Sequence, residues 1–129
     1  MKTTILISSI LLILAWSCRR VVIVDSSAEI ISRSIDETLN DSALIYGFVY
    51  SAGSINSPYP NTNIWIEGSE LKTTSDIYGN FSLKVLPGTY TIKCLRDQYE
   101  ERFTAEVKNI TLLPNEKVEI IFYHGTIVE

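Results

Sequence analysis

The sequence predicts an all-β protein, a seven-stranded antiparallel Greek-key β-sandwich. Two observations predict this fold. From residue 44 onward, segments in which apolar and polar residues alternate recur at steps of about 8 to 14 residues. Short clusters of Gly, Pro, Asn and Asp separate these segments. The chain has 129 residues, which is enough for one domain that buries a core without a metal or a disulfide.

The turn around Asp76 is the first of two with a distinctive sequence. Asp76 has a short carboxylate that can accept hydrogen bonds from backbone N–H groups two or more residues on. Gly79 follows at a position where positive φ is usual. Phe81 and Leu83 then open an alternating strand. A strand end, a tight turn and a new strand are therefore expected here.

The second distinctive turn is Pro87-Gly88. Proline sets φ for the first turn position, and glycine commonly follows it. Tyr90, Ile92 and Cys94 resume the alternation, so Cys94 is predicted to face inward as a small apolar filler. The two turns together predict a β-meander.

The remaining strands follow from the same period of two. In the second strand, Ile64 and Ile66 are predicted to point inward and Trp65 outward. The predicted strands are 44–50, 64–67, 71–75, 80–85, 89–95, 101–110 with Phe103, Ala105 and Val107 on one face, and a last strand with Val118, Ile120 and Phe122 in the core.

These motifs resemble the carboxypeptidase regulatory-like domain family. The resemblance lies in Thr/Ser-Asp-x-x-Gly-x-Phe-x-Leu at 75–83 and Leu-Pro-Gly-x-Tyr-x-Ile at 86–92. Segments 46–50 and 60–66 are similar to the first two strands of the family, and Gln98 replaces a frequent glycine. The resemblance covers residues 44 to 123 and implies a transthyretin-like sandwich, an accessory module without catalytic residues of its own.

The N-terminus has the pattern of a targeting signal. After Met1-Lys2, the apolar run 5–16 is too short to span a bilayer, which takes about 20 residues. Ala15-Trp16-Ser17 followed by Cys18 resembles a bacterial lipoprotein signal. The resemblance implies cleavage after residue 17, acyl chains on Cys18 and a lipid-anchored protein of the cell envelope.

Two other interpretations of this segment remain. Residues 1–17 could be an ordinary secretory signal in which Cys18 is incidental, or a short uncleaved anchor. Arg19-Arg20 would lie against anionic headgroups in an anchored protein, or start the chain in solvent.

The sequence divides the rest of the chain into three parts. Residues 18–42 are predicted to be the lipidated cysteine and a flexible spacer, with a docking strand or short helix as the alternative. Residues 43–125 form the sandwich domain and 126–129 a tail. A formal charge of −4 and a pI near 5.0 exclude the basic stripe of a nucleic-acid binder.

Residues that could carry catalysis or bind a metal are scarce. His124 is the single histidine and is predicted to be solvated at a strand end, without the further ligands that zinc needs. Glu100-Glu101 and Asp36-Glu37 are paired carboxylates interpreted as solvated surface. No cofactor, metal site or enzyme activity is expected.

Three aromatic residues are the candidate ligand platform. Trp65 is predicted on an outer face, and Tyr59 and Tyr78 in loops. Exposed aromatic rings can stack on sugars or on apolar groups of a partner, although each could equally pack on a neighbouring loop. The sequence therefore predicts a non-catalytic envelope module that presents loops or an edge strand to a protein partner, with carbohydrate binding as the alternative.

Overall fold

The computed structural model describes residues 21–53 and 57–128. The predicted signal 1–17 and Cys18 lie outside these residues. The described part contains two 3-10 helices, Glu37–Leu39 and Glu101–Phe103. It also contains the strands β1 (Val22–Val24), β2 (Ser27–Ile35), β3 (Ala43–Ser51), β4 (Asn63–Ile66), β5 (Lys72–Thr74), β6 (Asn80–Val85), β7 (Gly88–Leu95), β8 (Ala105–Leu112), β9 (Glu116–His124) and β10 (Thr126–Val128).

The strands form two four-stranded sheets packed face to face, which confirms the all-β sandwich. The first sheet has the order β2-β9-β3-β6, and the second has the order β5-β4-β7-β8. β1 and β10 form a separate two-stranded sheet. The prediction of seven antiparallel strands is wrong in two respects, because the described residues form ten strands and β3 pairs with β9 in parallel.

The inner faces of both sheets supply the core, as the period of two predicts. Ile64 and Ile66 are buried and Trp65 between them is half-buried, so the predicted faces of this strand are confirmed. The same alternation buries every second residue of β3 and β9. The core comprises Ala43, Ile45, Val49, Ile64, Ile66, Phe81, Val85, Ile92, Cys94, Ala105, Ile110, Leu112, Val118, Ile120 and Phe122.

The turn at Asp76 forms through its side chain. The Oδ1 atom of Asp76 accepts hydrogen bonds from the backbone N–H groups of Tyr78 and Asn80, both at 2.9 Å. Gly79 has φ of +82° and donates its N–H to the Asp76 carbonyl oxygen at 2.9 Å. An added Cβ at Gly79 would lie 2.6 Å from the Val49 carbonyl oxygen, so glycine is required both for conformation and for space.

The predicted β-meander is wrong. β6 pairs with β3 in the first sheet, whereas β7 pairs with β4 and β8 in the second. Pro87 therefore joins two sheets and not two neighbouring strands. The predicted turn at Pro87-Gly88 is also wrong, because Pro87 is only a bend and Gly88 is the first residue of β7. Proline and glycine mark the break between two strands, but they do not determine which strand each one pairs with.

The spacer interpretation of residues 19–42 is also wrong for the part that the structure describes. Ser27–Ile35 is a full edge strand of the first sheet, antiparallel to β9. Val22–Val24 pairs with Thr126–Val128, so the residues interpreted as a tail also form a strand. The alternative of a docking strand is the one that the structure contains.

The strands β1 and β10 continue the β2–β9 pair past a corner. The corner lies at Asp25–Ser26 on one strand and Gly125 on the other. A Cβ on Gly125 would lie 2.4 Å from the Val24 carbonyl oxygen and 2.7 Å from the Phe103 ring, so only glycine fits. We call the β1–β10 pair (Val22–Val24 and Thr126–Val128) the ribbon.

The predicted strand 101–110 begins later than expected. Glu101–Phe103 is a 3-10 helix, and β8 starts at Ala105 and ends at Leu112. Phe103 is buried, as is Ala105, but Val107 is only half-buried. The β7–β8 register shifts between Tyr90 and Ile92, which moves the inward positions of β8 to Ile110 and Leu112.

The close approach of β9 to Gly47 leads to the first testable prediction. A Cβ on Gly47 would lie 1.7 Å from the backbone carbonyl oxygen of Ile120, in the middle of the β3–β9 pair. Gly47→Ala should therefore lower the free energy of unfolding by about 3 kcal/mol or more. Urea denaturation followed by circular dichroism measures this.

The matched control is Gly68→Ala. Gly68 also has positive φ, +77°, but no atom lies within 4 Å of an added Cβ. This substitution should lower the free energy of unfolding by only about 1 kcal/mol, from the strain of holding alanine at positive φ. Equal losses for the two variants would contradict the close packing of β9 on Gly47.

Candidate interaction site

Strand β2 is an edge of the first sheet. It pairs with β9 on one side, and within residues 21–53 and 57–128 no strand pairs with its other side. An edge of this kind presents unpaired backbone N–H and C=O groups to solvent. Ile30 and Ile31 are each 43% exposed and Ile35 is 60% exposed. Hydrogen-bonding groups and apolar side chains thus occur together along this edge.

A β-bulge interrupts β2 at Ile31. The register with β9 shifts between Ile30 and Ser32, so Ile31 is the extra residue. Ile30 lies opposite Ile120 and Ile35 opposite Glu116, whose side chains are buried. Ile30 and Ile35 therefore belong to the inward row of the strand, but the edge position leaves them accessible.

An ion pair links β2 to β9 and to the second sheet. Nε and Nη2 of Arg33 donate to the two carboxylate oxygens of Glu116 at 2.9 and 2.8 Å. Nη2 also donates to the carbonyl oxygen of Thr111 in β8, so Arg33 reaches across both sheets. The Leu113 N–H donates to Glu116 at 3.0 Å. Such bidentate, charge-assisted bonds fix the geometry of both partners.

The ion pair shifts the protonation of both groups. The hydrogen bonds from Arg33 hold the pKa of Glu116 below its ordinary value, against the opposing effect of burial. The pKa of Arg33 is raised, chiefly by its hydrogen bonds to Glu116. The Glu116 side chain is 8% exposed and that of Arg33 is 41% exposed, so solvent screens part of the attraction.

A second cluster is centred on His124, at the end of the sandwich where the ribbon begins. The prediction that His124 is solvated is wrong, because it is 1% exposed. It is the last residue of β9 and keeps the inward alternation of that strand. The Tyr59 ring stacks on it with centroids 4.7 Å apart, and the Phe103 ring lies at 6.2 Å.

The hydrogen bonds of His124 assign a neutral ring. The Arg96 backbone N–H donates to Nε2 at 3.1 Å, so Nε2 carries no proton. Nδ1 then donates to the Gly125 carbonyl oxygen at 2.8 Å. Burial holds the pKa of His124 below its ordinary value, and the hydrogen bond to Gly125 opposes this only in part. The ring is thus a neutral structural link between β9 and the loop 96–104.

An open polar cleft of about 710 Å³ lies beside this cluster. The guanidinium of Arg96 sits 4.6 Å from the centroid of the Tyr59 ring, so His124 and Arg96 both contact that ring. Tyr99, in the loop 96–104, is 86% exposed. The cleft is lined by Tyr59, Asn63, Arg96, Asp97, Gln98, Tyr99, Glu100, His124 and Thr126.

The structure does not gather the three predicted aromatic residues into one platform. Tyr59 packs on His124 in the polar cleft. Trp65 lines a different groove of about 440 Å³, together with Lys93, Gln98 and others. Tyr78 is exposed in the Asp76 turn and lines neither. Their sequence positions predicted loops and an outer face, but not a common surface.

The Trp65 groove lies on the outer face of the second sheet. Trp65 in β4 is opposite Lys72 in β5 and Lys93 in β7. Lys93 forms an ion pair with Glu67 at 3.1 Å and lies opposite Glu106 in β8. A half-buried indole with charged and polar neighbours is a surface on which a sugar ring could stack.

Cys94 lies in the core, as the alternation predicts. It is a free thiol with no exposed surface, and burial raises its pKa. A thiol in this state does not act as a nucleophile. In the described part of the chain, no three His, Cys, Asp or Glu residues are arranged to bind a metal ion. No helix among these residues is long and apolar enough to cross a membrane.

Sequence reasoning missed Arg33, Arg96 and the burial of His124. The alternation of β9 through Glu116 and Phe122 would have placed His124 inward, had the strand been extended by two residues. The bulge at Ile31 conceals β2, because it moves the inward positions from even to odd residue numbers. The sequence carries no comparable signal for Arg96.

Comparison with known proteins gives little more. No protein-family model matches the chain, and no curated protein matches it. Two similar structures are chains of type II cohesin-X-dockerin complexes from Acetivibrio cellulolyticus, one a C-terminal and the other an N-terminal interface mutant. Both are 18% identical, with TM-scores of 0.49 and 0.47. The match covers 64% of this chain but only 58% of theirs, and a likeness of this extent carries no functional inference.

Removal of Arg33 should destabilise the edge. Arg33→Met should lower the free energy of unfolding at pH 7 by about 1 kcal/mol, a value reduced for the exposure of Arg33. Glu116 has a lowered pKa in the folded state, so its contribution is complete above about pH 4.3, the ordinary value. The difference in free energy of unfolding between Arg33→Met and the unchanged protein should shrink as pH falls through the lowered, folded-state pKa of Glu116.

The control for this prediction is Lys108→Met. Lys108 pairs with Glu106 at 3.2 Å, but its side chain is 70% exposed. Its loss should change the free energy of unfolding by less than about 0.5 kcal/mol. A pH-independent difference for Arg33→Met would contradict the role given to Glu116.

The buried neutral His124 predicts a separate pH effect. The unfolded chain protonates this residue near pH 6.5, but the folded protein resists protonation. The free energy of unfolding should therefore fall as pH decreases from about 6.5 to 5. His124→Gln, whose amide oxygen can accept the Arg96 N–H, should remove this slope. Because the chain has one histidine, parallel curves for both proteins would refute this assignment.

Proposed function

We propose that this chain is a non-catalytic binding module, held in the bacterial envelope by lipid on Cys18, that binds a protein partner along strand β2. The observation that carries the proposal is the nine-residue edge strand, which the described residues pair on one side only and which carries three exposed isoleucines. An extended segment of a partner can add to such an edge as a further strand.

In strand addition the backbone and the side chains make different contributions to binding. Backbone hydrogen bonds supply affinity, and the side chains of alternate residues supply specificity. The bulge at Ile31 breaks the edge into 27–30 and 32–35. A partner strand would therefore pair with one of these segments, and the isoleucines next to it would contact its apolar side chains.

The other edges are less suited to strand addition. β5 has only three residues. β6 carries Lys84 with an exposed side chain, and β8 carries Lys108 beside Asn109, which has φ of +53°. An exposed lysine protects a sheet edge from pairing. β2 has a bulge of its own at Ile31, but it is the longest of the four edge strands and carries no lysine, which favours it.

The anchor and the family membership are parts of the same proposal. The lipoprotein-like sequence that ends at Cys18 supports the anchor. Membership of the carboxypeptidase regulatory-like family is supported by the motif 75–83, in which Asp76 and Gly79 form the turn that the motif implies. A module of this kind has no need of catalytic residues.

Carbohydrate binding is the second candidate. The groove beside Trp65 favours it, because an indole with Lys93 and Glu106 nearby offers both stacking and hydrogen bonding. The candidate platform is then Trp65 alone, without Tyr59 and Tyr78. A glycan array with the protein and with Trp65→Ala tests it, and binding that is unaffected by the substitution would reject the groove.

The main proposal predicts a position-specific cross-link. A photo-reactive amino acid at Ile31, introduced in living cells of the source bacterium, should give an adduct with a partner protein. The same amino acid at Ser82 on β6, the other edge of the sheet, should give none. Adding Ile30→Lys and Ile35→Lys, one in each segment of the edge, should reduce the Ile31 adduct by about tenfold or more, because a lysine on an edge opposes strand pairing.

The anchor is tested on the same cells. Labelling with an acyl-chain probe should mark the native protein and not Cys18→Ala. Equal adducts from Ile31 and Ser82, or none from either, would contradict binding along β2. Equal labelling of Cys18→Ala would contradict the anchor.

A further inference from the structure

The ribbon β1–β10 exposes apolar side chains on both of its faces, Val22 and Val128 on one and Ile23 and Ile127 on the other. Val21, Val22, Ile23, Ile127 and Val128 are each between 41% and 58% exposed. Among the described residues no third strand pairs with the ribbon. Four accessible apolar side chains on a pair of three-residue strands, with Val21 beside them, mark a candidate interaction surface.

We infer that the ribbon lies on the bilayer surface, so that the domain sits directly on the membrane and not at the end of a spacer. The inference rests on the proposed anchor at Cys18. It identifies the occupant of the ribbon as lipid, and it adds an orientation to the proposed function.

The length of the chain between the anchor and the ribbon carries the argument. Val22 begins β1 and is four residues after Cys18. A fully extended chain spans at most about 3.6 Å per residue, so Val22 lies within roughly 14 Å of the acylated residue. The polar layer on each side of a bilayer is about 5 to 7 Å thick. With its acyl chains inserted, the protein can therefore hold Val22 at most about 7 to 9 Å beyond the headgroups, and any bend in residues 18–22 brings the ribbon onto them.

The apolar side chains of the ribbon suit a position at the level of the headgroups. Ile23 and Ile127 are directly opposite each other in the ladder, as are Val22 and Val128. Apolar side chains at the boundary between headgroups and acyl chains gain by leaving water. Arg19-Arg20, between the anchor and the ribbon in sequence, would be attracted to anionic headgroups.

The neighbouring loop 96–104 shares this end of the molecule. Tyr99 and Ile127 line one groove of about 620 Å³, and Tyr99 is 86% exposed. Tyrosine is favoured at membrane interfaces, where its ring and hydroxyl meet different surroundings. Asp97 and Glu100 in the same loop oppose deeper insertion. This end therefore matches the surface of a bilayer and not its interior.

The strand directions set the opposite end apart. β9 starts at Glu116 and ends at His124 beside the ribbon, whereas Leu86 lies at the far end, directly after β6. Leu86 is 72% exposed. A residue at this position should remain in water when the ribbon rests on lipid, which makes it a matched reference.

Quenching of tryptophan fluorescence by brominated lipid tests the inference. The acylated protein with Trp65→Phe is placed in vesicles of phosphatidylethanolamine and phosphatidylglycerol with brominated acyl chains. With Ile127→Trp as the reporter, fluorescence should fall by roughly half, because the ring lies near the headgroup boundary. With Leu86→Trp it should stay unchanged. Ile23→Trp, opposite Ile127, is the second reporter should the first variant not fold.

The intact mass of each sample distinguishes the two ways of failing. Acylated protein whose ribbon and Leu86 reporters are quenched equally, or not at all, would overturn the seating of the ribbon and leave the anchor in place. A mass without acyl chains would overturn the anchor itself, and the seating with it. Quenching confined to the ribbon in acylated protein supports both.

Discussion

Strand β9 is the element on which the first sheet depends, because it pairs with β2 on one side and with β3 on the other. Its inward residues Val118, Ile120 and Phe122 are in the centre of the core. The two ends of the same inward row are polar, Glu116 and His124, and both are buried. Each must therefore find its hydrogen-bond partners inside the protein.

Those partners define the two regions of interest. Glu116 binds Arg33 and so fixes the edge strand β2 against the second sheet. His124 binds Arg96 and Gly125, and so fixes the loop 96–104 and the start of the ribbon. Within the described residues no buried side-chain nitrogen or oxygen lacks a partner. One strand thus positions both the edge proposed for a partner protein and the end proposed for the membrane.

The sequence predicts the strands correctly where apolar and polar residues alternate regularly. β3, β4, β6 and β7 alternate without interruption over most of their length, and their inward residues follow directly from a period of two. β2 is concealed by the bulge at Ile31, and β8 by the register shift opposite Tyr90–Ile92. Sheet membership was also beyond local reasoning, since the pairing of β3 with β9 joins distant parts of the chain. The contact between Arg96 and Tyr59 depends on tertiary packing, for which the sequence offers no period.

The central place of β9 also determines when this chain can fold. It pairs with Ser27 through Tyr123 and with Leu44 through Lys117, so the first sheet lacks its middle until residues 116–124 are present. Contacts between such distant positions form slowly, because a long loop must close before any pairing is gained. The strands of the second sheet, residues 63–112, can pair earlier, but the first sheet cannot close without β9. Such a delay agrees with the proposed lipid anchor, which requires the chain to cross a membrane before it acquires its tertiary structure.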